Sequence, residues 1–247
     1  MQTDAIMLLL GSFLATLVLR IPIAFGLGIS AVLTALYTNI PLAILAQGMV
    51  RGINSFSLLA IPFFILAGEI MGEGGMSQRL IRFSNALVGK VRGGLAHVNV
   101  LASMFFGGIS GSSVADTSSI GSILIPMMKK KGYDDDYSVA VTITGSTQGV
   151  LIPPSHNMII YSLVAGSGVS VGALFLAGIV PGVFLGLSLM VAAYVIAIKR
   201  KYPVGEETSW KEKLASLKEA FLGLFTVFIV VGGVITGFYT ATEAAAI

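Results

Sequence analysis

The 247-residue sequence has no cysteine and little charge, and each shortage excludes a class of protein. Without cysteine there is no disulfide framework, no thiolate-ligated zinc and no thiol nucleophile. Charged residues make up 11% of the chain, whereas soluble domains carry about 25%. That is too little charge to cover the surface of a water-soluble fold of this size.

Signatures of enzymes are missing as well. The sequence contains no HExxH motif, no phosphate-binding loop and no dinucleotide-binding fingerprint. Ser155 and His156 are adjacent, so on a helix their side chains diverge and cannot form a catalytic pair. We therefore interpret His97 and His156 as structural, and the sequence indicates a protein that is not an enzyme.

Long apolar runs are abundant. Hydrophobic residues make up 55% of the chain, and the mean hydropathy is +0.91. A run of about 20 apolar residues can cross a bilayer, and the presence of several excludes a single secretory signal peptide. The first run follows Asp4 rather than a basic segment. The sequence predicts an all-α polytopic membrane protein.

The apolar runs and their interruptions predict the path of the chain. Membrane spans are expected at residues 5–19, 22–37, 57–71, 171–198 and 221–238. Shorter helices are expected at 41–54, 77–88 and 209–218, with Trp210 as an interface anchor. Two segments differ from these: 94–131 has two short apolar arms around a polar tip at 107–116, and 137–165 is one crossing interrupted at 145–155.

The distribution of basic residues favours a re-entrant hairpin at 94–131. If both arms enter and leave on the same side, every Lys and Arg except Arg51 falls on the cytoplasmic side, as the positive-inside rule requires. An ordinary crossing would place residues 129–131, all lysine, outside. The same path predicts a periplasmic N-terminus.

The two interruptions are rich in glycine and hydroxyl side chains, which favours a transport site. Broken helices expose free N–H groups at one half and free C=O groups at the other, and transporters use these ends to bind anions and cations. Carbonyl and hydroxyl oxygens suit a hard cation such as Na⁺. Close helix packing is the alternative explanation for small residues in membrane helices.

Two charged residues each allow more than one interpretation of their role. Asp116 follows the predicted hairpin tip, where it either caps the second arm or contacts a cation or proton. Arg51, the exception to the charge rule, is either an exposed interfacial charge or a contact for a partner protein or an anionic substrate.

Three motifs carry a resemblance to a known family. Residues 106–116 read FGGISGSSVAD, residues 152–155 read IPPS, and residues 239–246 read YTATEAAA. In this order, and along the whole chain, the sequence resembles the large membrane subunit of TRAP (tripartite ATP-independent periplasmic) transporters. The GSSxAD tip is the most specific part of the match.

The resemblance implies an inverted-repeat, elevator-type ion-transporter fold in a bacterial inner membrane. It implies Na⁺-coupled import of small organic acids, of the sialic acid or C4-dicarboxylate type, with no cofactor beyond the coupling ion. The implied partners are a small four-span membrane subunit and a periplasmic substrate-binding protein. The corresponding regions here are a scaffold at 1–92, half of a transport domain at 93–170, and connecting spans at 171–247.

The resemblance also implies roles for particular residues. Ser110, Ser112 and Ser155 are expected to face the substrate. The expected Na⁺ ligands come from the hairpin tip and the broken crossing: Gly111, Ser112, Ser113, Gly145, Thr147, Gly149 and Pro154.

The sequence departs from the family pattern in extent. The family subunit has two repeats, whereas this chain contains one and stops soon after the TEAAA stretch that opens the second. We therefore expect it to be a fragment or half of a split pair that needs the second half to transport. A channel, a structural membrane subunit and an intramembrane hydrolase are the alternatives.

Overall fold

The computed structural model describes residues 2–165, 168–205 and 207–247, and within these ranges it is built from thirteen α-helices. A short 3₁₀ turn, Phe56–Leu59, leads into the fourth helix. The helices are α1 (Gln2–Val18), α2 (Ile23–Tyr37), α3 (Leu42–Ile53), α4 (Ala60–Glu73), α5 (Met76–Val88), α6 (Gly94–Ser110), α7 (Ser113–Lys130), α8 (Asp135–Ser146), α9 (Gln148–Leu151), α10 (His156–Ala165), α11 (Val171–Lys199), α12 (Trp210–Thr236) and α13 (Ala241–Ala246).

The chain forms two compact units, Met1–Ser55 and Phe56–Ile247. In the first unit α1 and α2 pack closely, because Gly26 leaves room for Thr16 where a Cβ would lie 2.5 Å from the Thr16 hydroxyl oxygen. Helix α3 was expected at 41–54 and spans Leu42–Ile53, with Pro41 as its N-cap rather than in its first turn, and it buries none of its residues. Arg51 lies in its last turn.

The second unit contains the predicted helical hairpin, formed by α6 and α7. The tip was predicted to extend over residues 107–116, and this length is wrong. Only Gly111 and Ser112 lie outside the two helices. The polar residues beside the tip remain helical by satisfying their hydroxyls locally, as when Thr117 donates to the Ser113 carbonyl at 2.8 Å. Gly111 makes the turn with a φ of 63°, which glycine adopts without steric cost.

Both outer ends of the hairpin meet the segment between α11 and α12. At the start of α6, the Gly93 N–H donates to the Pro203 carbonyl at 3.0 Å. Beyond the end of α7, the Arg200 guanidinium donates to the Asp134 carboxylate at 2.7 Å. The two arms of the hairpin therefore start and finish at the same end of the second unit, whereas its re-entry into the membrane from the cytoplasmic side stays a prediction.

The broken crossing consists of α8, α9 and α10. Its main break is four residues long, 152–155, and contains a cis peptide bond between Pro153 and Pro154. The interruption was predicted to begin at residue 145, but the helix continues through Ser146 and is irregular only at Thr147 before the break. The prolines determine where the break lies, because they have no N–H to continue a helix.

One predicted division is wrong. The segments 209–218 and 221–238 were expected to be separate helices, but α12 is continuous from Trp210 to Thr236. No glycine or proline lies between the charged and apolar parts to stop it, and Ser209 and Glu212 form a capping box at its start.

Three helical segments in the described ranges are long and apolar enough to cross a membrane: Phe56–Glu73, Val171–Lys199 and Trp210–Thr236. Helix α11 turns a glycine face toward the broken crossing. A Cβ on Gly178 would lie 2.3 Å from the Leu151 carbonyl, and one on Gly182 would lie 2.6 Å from Ile152. These glycines allow the backbone of α11 to pack closely against the break.

A cluster of tyrosines and charges joins the base of the hairpin to α11; we call it the basal clasp (Tyr133, Asp134, Tyr137, Arg200, Tyr202). The Tyr202 ring lies 4.4 Å from that of Tyr133 and 5.1 Å from that of Tyr137, between ring centroids. The Tyr202 hydroxyl donates to the Asp134 carboxylate at 2.7 Å. This hydrogen bond and that of Arg200 lower the pKa of Asp134 below its ordinary value.

We expect Tyr202→Phe to lower the Tm of the protein in detergent at about pH 7 while keeping the ring stack. The folded-state pKa of Asp134 is depressed, so its hydrogen bonds stabilise the fold above the ordinary carboxyl pKa of about 3.9. That contribution is lost as the pH falls through the lowered pKa, so the Tm difference should shrink toward about pH 3. Tyr161→Phe is the matched control, because Tyr161 is exposed on α10. A Tm difference that is the same at both pH values would contradict this account.

Candidate functional site

The hairpin tip packs directly on the broken crossing through backbone contacts. A Cβ on Gly107 would lie 2.6 Å from the Gly149 Cα, and one on Gly111 would lie 2.6 Å from the Pro154 carbonyl oxygen. Neither position has room for a side chain. The tip and the break therefore form one site, and glycine is required where their backbones meet.

Helix ends of both polarities converge at this site. Helix α6 ends at Ser110 and α9 ends at Leu151, so both present carbonyl oxygens without helical partners. Helix α7 begins at Ser113 and α10 at His156, and both present N–H groups. The carbonyl ends favour a cation and the N–H ends favour an anion, each by the helix dipole as well as by hydrogen bonding.

Ser112 is the N-cap of α7, where its hydroxyl accepts from the Ala115 N–H at 3.4 Å. Of the two roles left open for Asp116, the cap is therefore filled by Ser112, and contact with a cation or proton stays a hypothesis. Asp116 lies one turn inside the helix and is fully buried. A short tip places the cap at the first residue after the turn, and that residue is a serine.

A cavity of about 680 Å³ opens beside the tip, between α4, α5, α7 and α10. Ser110 and Ser112 line it, together with a serine face of α7. Glu69 and Glu73 line it from α4, and no Lys or Arg is among its lining residues in the described part of the chain. An organic anion in this cavity would need a positive charge or helix N–H groups to offset the two carboxylates.

The structure places the expected substrate residues in two environments. Ser110 and Ser112 line the cavity, and the Ser110 hydroxyl donates weakly to the Ser112 carbonyl at 3.4 Å. Ser155 is buried, and its hydroxyl donates to the Val150 carbonyl at 2.7 Å, so it closes the break. His156, interpreted as structural, lines the cavity beside the tip. His97 instead contacts the Gly93 carbonyl at 3.1 Å through Nδ1, on its own helix.

The expected Na⁺ ligands divide in the same way. Gly149 lies against the tip, where its Cβ position is 3.4 Å from the Ser112 carbonyl carbon and 3.5 Å from the Ser113 nitrogen. Thr147 is exposed, and its hydroxyl donates to the Thr144 carbonyl in the last turn of α8. Gly145 faces the first arm of the hairpin rather than the tip. Arg51 belongs to the other compact unit, Met1–Ser55.

Several polar residues at this site were missed by the sequence analysis. Thr117 on α7 and Ser146 on α8 share a hydroxyl–hydroxyl hydrogen bond of 2.6 Å. Gln148 donates to the Val100 and Gly145 carbonyls at 3.2 and 2.9 Å, and so joins α9 to the first arm. The signal was available, because these side chains are polar residues inside segments predicted to lie at membrane depth.

Residues 2–165, 168–205 and 207–247 contain no group of three or more His, Cys, Asp or Glu side chains that could hold a metal ion. The helix ends at the tip offer a cation backbone carbonyl and hydroxyl oxygens. Such a donor set suits an alkali cation rather than a transition metal.

A multi-pass helical membrane protein with a helical hairpin docked on a broken helix has the architecture of a secondary transporter. The sequence matches the family model described as "Tripartite ATP-independent periplasmic transporter, DctM component" over residues 10–247. The chain belongs to this family, as the motifs predicted. The relatives that it matches are transporter permease subunits, so the expectation that it is not an enzyme is confirmed.

Curated relatives support the same assignment. The chain is 44% identical to the C4-dicarboxylate TRAP transporter large permease protein DctM of Vibrio cholerae, over 98% of this chain and 54% of the relative. It is 42% identical to the sialic acid large permease protein SiaM of Vibrio cholerae, over 95% and 55%. It is 37% identical to the 2,3-diketo-L-gulonate large permease protein YiaN of Escherichia coli, over 98% and 57%. The chain spans about half the length of these relatives.

We expect Gly111→Ala to destabilise the protein more than Gly132→Ala. Both positions have positive φ, so an alanine at either one adds roughly 1–2 kcal/mol of backbone strain. Only at Gly111 does the new Cβ collide with the Pro154 carbonyl, whereas at Gly132 nothing lies within 4 Å. The measurement is the Tm of each variant in detergent. Equal losses would show that the tip does not rest on the break.

Proposed function

We propose that this chain forms the hairpin part of a carrier that imports small organic acids with Na⁺. One observation carries the proposal: the hairpin tip and the break meet backbone to backbone, at Gly107–Gly149 and Gly111–Pro154. This contact brings carbonyl ends and N–H ends of helices together at membrane depth, which allows one site to hold a cation and an anion.

The carbonyl ends of α6 and α9 and the Pro154 carbonyl supply neutral oxygens for Na⁺. Gly111, Ser112 and Ser113 surround the tip, and Gly149 lies against it. Neutral oxygen donors are the preferred ligands of hard monovalent cations. In this proposal Gly145 and Thr147 act indirectly, by shaping α8 up to the break, because they do not face the tip.

The N–H ends of α7 and α10 provide the complementary site for a carboxylate. Ser110 and Ser112 line the neighbouring cavity. Ser155 stabilises the break through the hydrogen bond from its hydroxyl to the Val150 carbonyl. Because Glu69 and Glu73 make the cavity wall negative, Na⁺ bound at the tip offsets repulsion of the anion. The proposal therefore couples anion affinity to Na⁺ electrostatically.

The rest of the transport cycle is proposed from the family. A periplasmic binding protein delivers the acid, a small four-span membrane subunit joins the first unit near Arg51, and a second half of the subunit completes the site. The hairpin and broken crossing move together in an elevator motion, while the scaffold at 1–92 stays fixed. The N-terminus is periplasmic, and the basal clasp with its neighbouring lysines and arginines lies in the cytoplasm.

We expect uptake of the acid by the assembled transporter in proteoliposomes to require a Na⁺ gradient and to stop when K⁺ replaces Na⁺. Ser113→Ala should raise the Na⁺ concentration for half-maximal uptake roughly 2- to 12-fold, which corresponds to the loss of one polar contact of about 0.5–1.5 kcal/mol.

Ser188→Ala is the matched control for this measurement. Ser188 is exposed on α11, and its hydroxyl donates to the Phe184 carbonyl on its own helix, at 2.8 Å. Uptake at full rate in K⁺ would overturn Na⁺ coupling. Flux that does not saturate and does not depend on the binding protein would favour a channel.

We expect the transported compounds to carry a carboxylate. Unlabelled C4-dicarboxylates and sialic acid are tested as competitors of uptake, each beside its uncharged amide analogue. At least one acid should compete while its amide does not, because the helix N–H ends favour the charged form. Ser110→Ala should weaken that competition, and competition by the amide equal to that by the acid would contradict a carboxylate site.

A further inference from the structure

A second polar cluster lies inside the hairpin, away from the tip. It contains four buried side-chain oxygens that have no hydrogen-bond partner within residues 2–165, 168–205 and 207–247: Asn99 Oδ1, Ser103 Oγ and both carboxylate oxygens of Asp116. All three residues have 0% of their surface exposed. Buried polar groups without partners are rare, and a buried carboxylate without one is rarer still.

These oxygens lie near one another, between the two arms of the hairpin and α8. Asn99 and Ser103 are four residues apart on α6, so they share one helix face. Gly145 of α8 lies against two of them, because its Cβ position is 3.6 Å from Ser103 Oγ and 3.7 Å from Asn99 Oδ1. Asp116 approaches from α7 and lies beside the Ser103 hydroxyl, although no well-oriented hydrogen bond joins the two in the described part of the chain.

The surrounding structure does not use these oxygens. The capping role near Asp116 is filled by Ser112. The amide nitrogen of Asn99 is occupied, since it donates to the Thr142 hydroxyl at 2.7 Å, while the amide oxygen lies beside Gly145. The hydroxyl of Thr142 itself donates to the Ser138 carbonyl at 2.8 Å. Asn99 is therefore oriented as an acceptor by two consecutive hydrogen bonds.

The cluster has the chemistry of a monovalent cation site. Its donors are all oxygens, and it carries a single negative charge, which one Na⁺ would neutralise completely. A divalent ion would leave a net positive charge in a buried space, which is costly. None of Asn99, Ser103 and Gly145 carries a positive charge, so these neighbours do not neutralise the Asp116 carboxylate, and a bound cation would do so.

The cluster is separate from the tip. Asp116 lies four residues beyond Ser112, and Ser103 lies seven residues before Ser110. These separations correspond to about 6 Å and about 10 Å along the respective helices. The cavity lining includes none of Asn99, Ser103 and Asp116.

We propose that Asn99, Ser103 and Asp116, covered by Gly145, form a second Na⁺ site inside the hairpin, below the tip. The inference rests on the proposed Na⁺ coupling and adds a binding site with a charged ligand to it. A cation there would hold the two arms and α8 together, so the hairpin that carries the tip becomes rigid when this site is filled.

The test is equilibrium binding of ²²Na⁺ to the purified, assembled transporter in detergent, without substrate. Asp116→Asn, which keeps the size of the side chain, should remove one Na⁺ per transporter relative to wild type. Ser103→Ala removes one hydroxyl and should weaken binding of the same ion roughly tenfold. Ser113→Ala at the tip should leave that ion in place.

Thr144→Ala is the matched control, because Thr144 is exposed on α8 and bonds to the Ala140 carbonyl of its own helix at 2.8 Å. Folding of every variant is checked by its Tm in K⁺, and Ser103→Ala decides the question if Asp116→Asn fails to fold. If Asp116→Asn and Ser103→Ala bind Na⁺ like wild type, the second site is wrong and Asp116 is a neutral buried acid, while the tip site stands. If the wild-type transporter binds no Na⁺ at all, the proposed function fails with it.

Discussion

The backbone contact between the hairpin tip and the broken crossing determines where the other parts of the second unit lie. Gly107 meets Gly149, and Gly111 meets the Pro154 carbonyl, at distances that exclude a Cβ. Irregular backbone is tolerated at membrane depth only where protein or water satisfies its polar groups. The tip shields the polar backbone groups of the break, and the break shields those of the tip. Each interruption would be unfavourable alone, and together they form an enclosed polar site.

Glycines on other helices extend this arrangement outward. Gly68 of α4 approaches Ser110, with a Cβ position 3.2 Å from the Ser110 Cα. Gly178 and Gly182 bring α11 against the opposite side of the break. In a bilayer the hydrophobic effect does not drive helices together, so close packing and interhelical hydrogen bonds must do so. The glycines therefore determine which helices surround the site.

Much of the fold followed from hydropathy and charge. The hairpin at 94–131 was predictable because the lysines at 129–131 required both arms to return to one side, and the break was predictable from Pro153 and Pro154. The length of the tip was not, because serine and threonine can stay helical by bonding to the preceding turn. The continuity of α12 was missed because a change from polar to apolar residues does not itself end a helix.

The candidate site was predictable in position but not in detail. Glycine and serine composition located the tip and the break, yet it could not show that Ser155 bonds to the Val150 carbonyl or that Thr147 is exposed. Those facts depend on the rotation of each helix about its axis. The internal cluster around Asp116 depends on how three helices face one another, and single-sequence patterns do not contain that information. The relatives transport different acids at 37–44% identity, so the substrate is not readable from this chain either.

The basal clasp has a mechanical consequence for the hairpin. One end of the hairpin is tied to Pro203 through Gly93, and the other is tied to Arg200 and Tyr202 through Asp134. Both ends of this hairpin are bound to the same short stretch of chain, so neither end is free to move as the end of a lid would be. It cannot open by itself without breaking ion pairs and a stack of three tyrosine rings. Displacement of the tip is therefore transmitted to the end of α11. The hairpin moves as one rigid element and does not open locally.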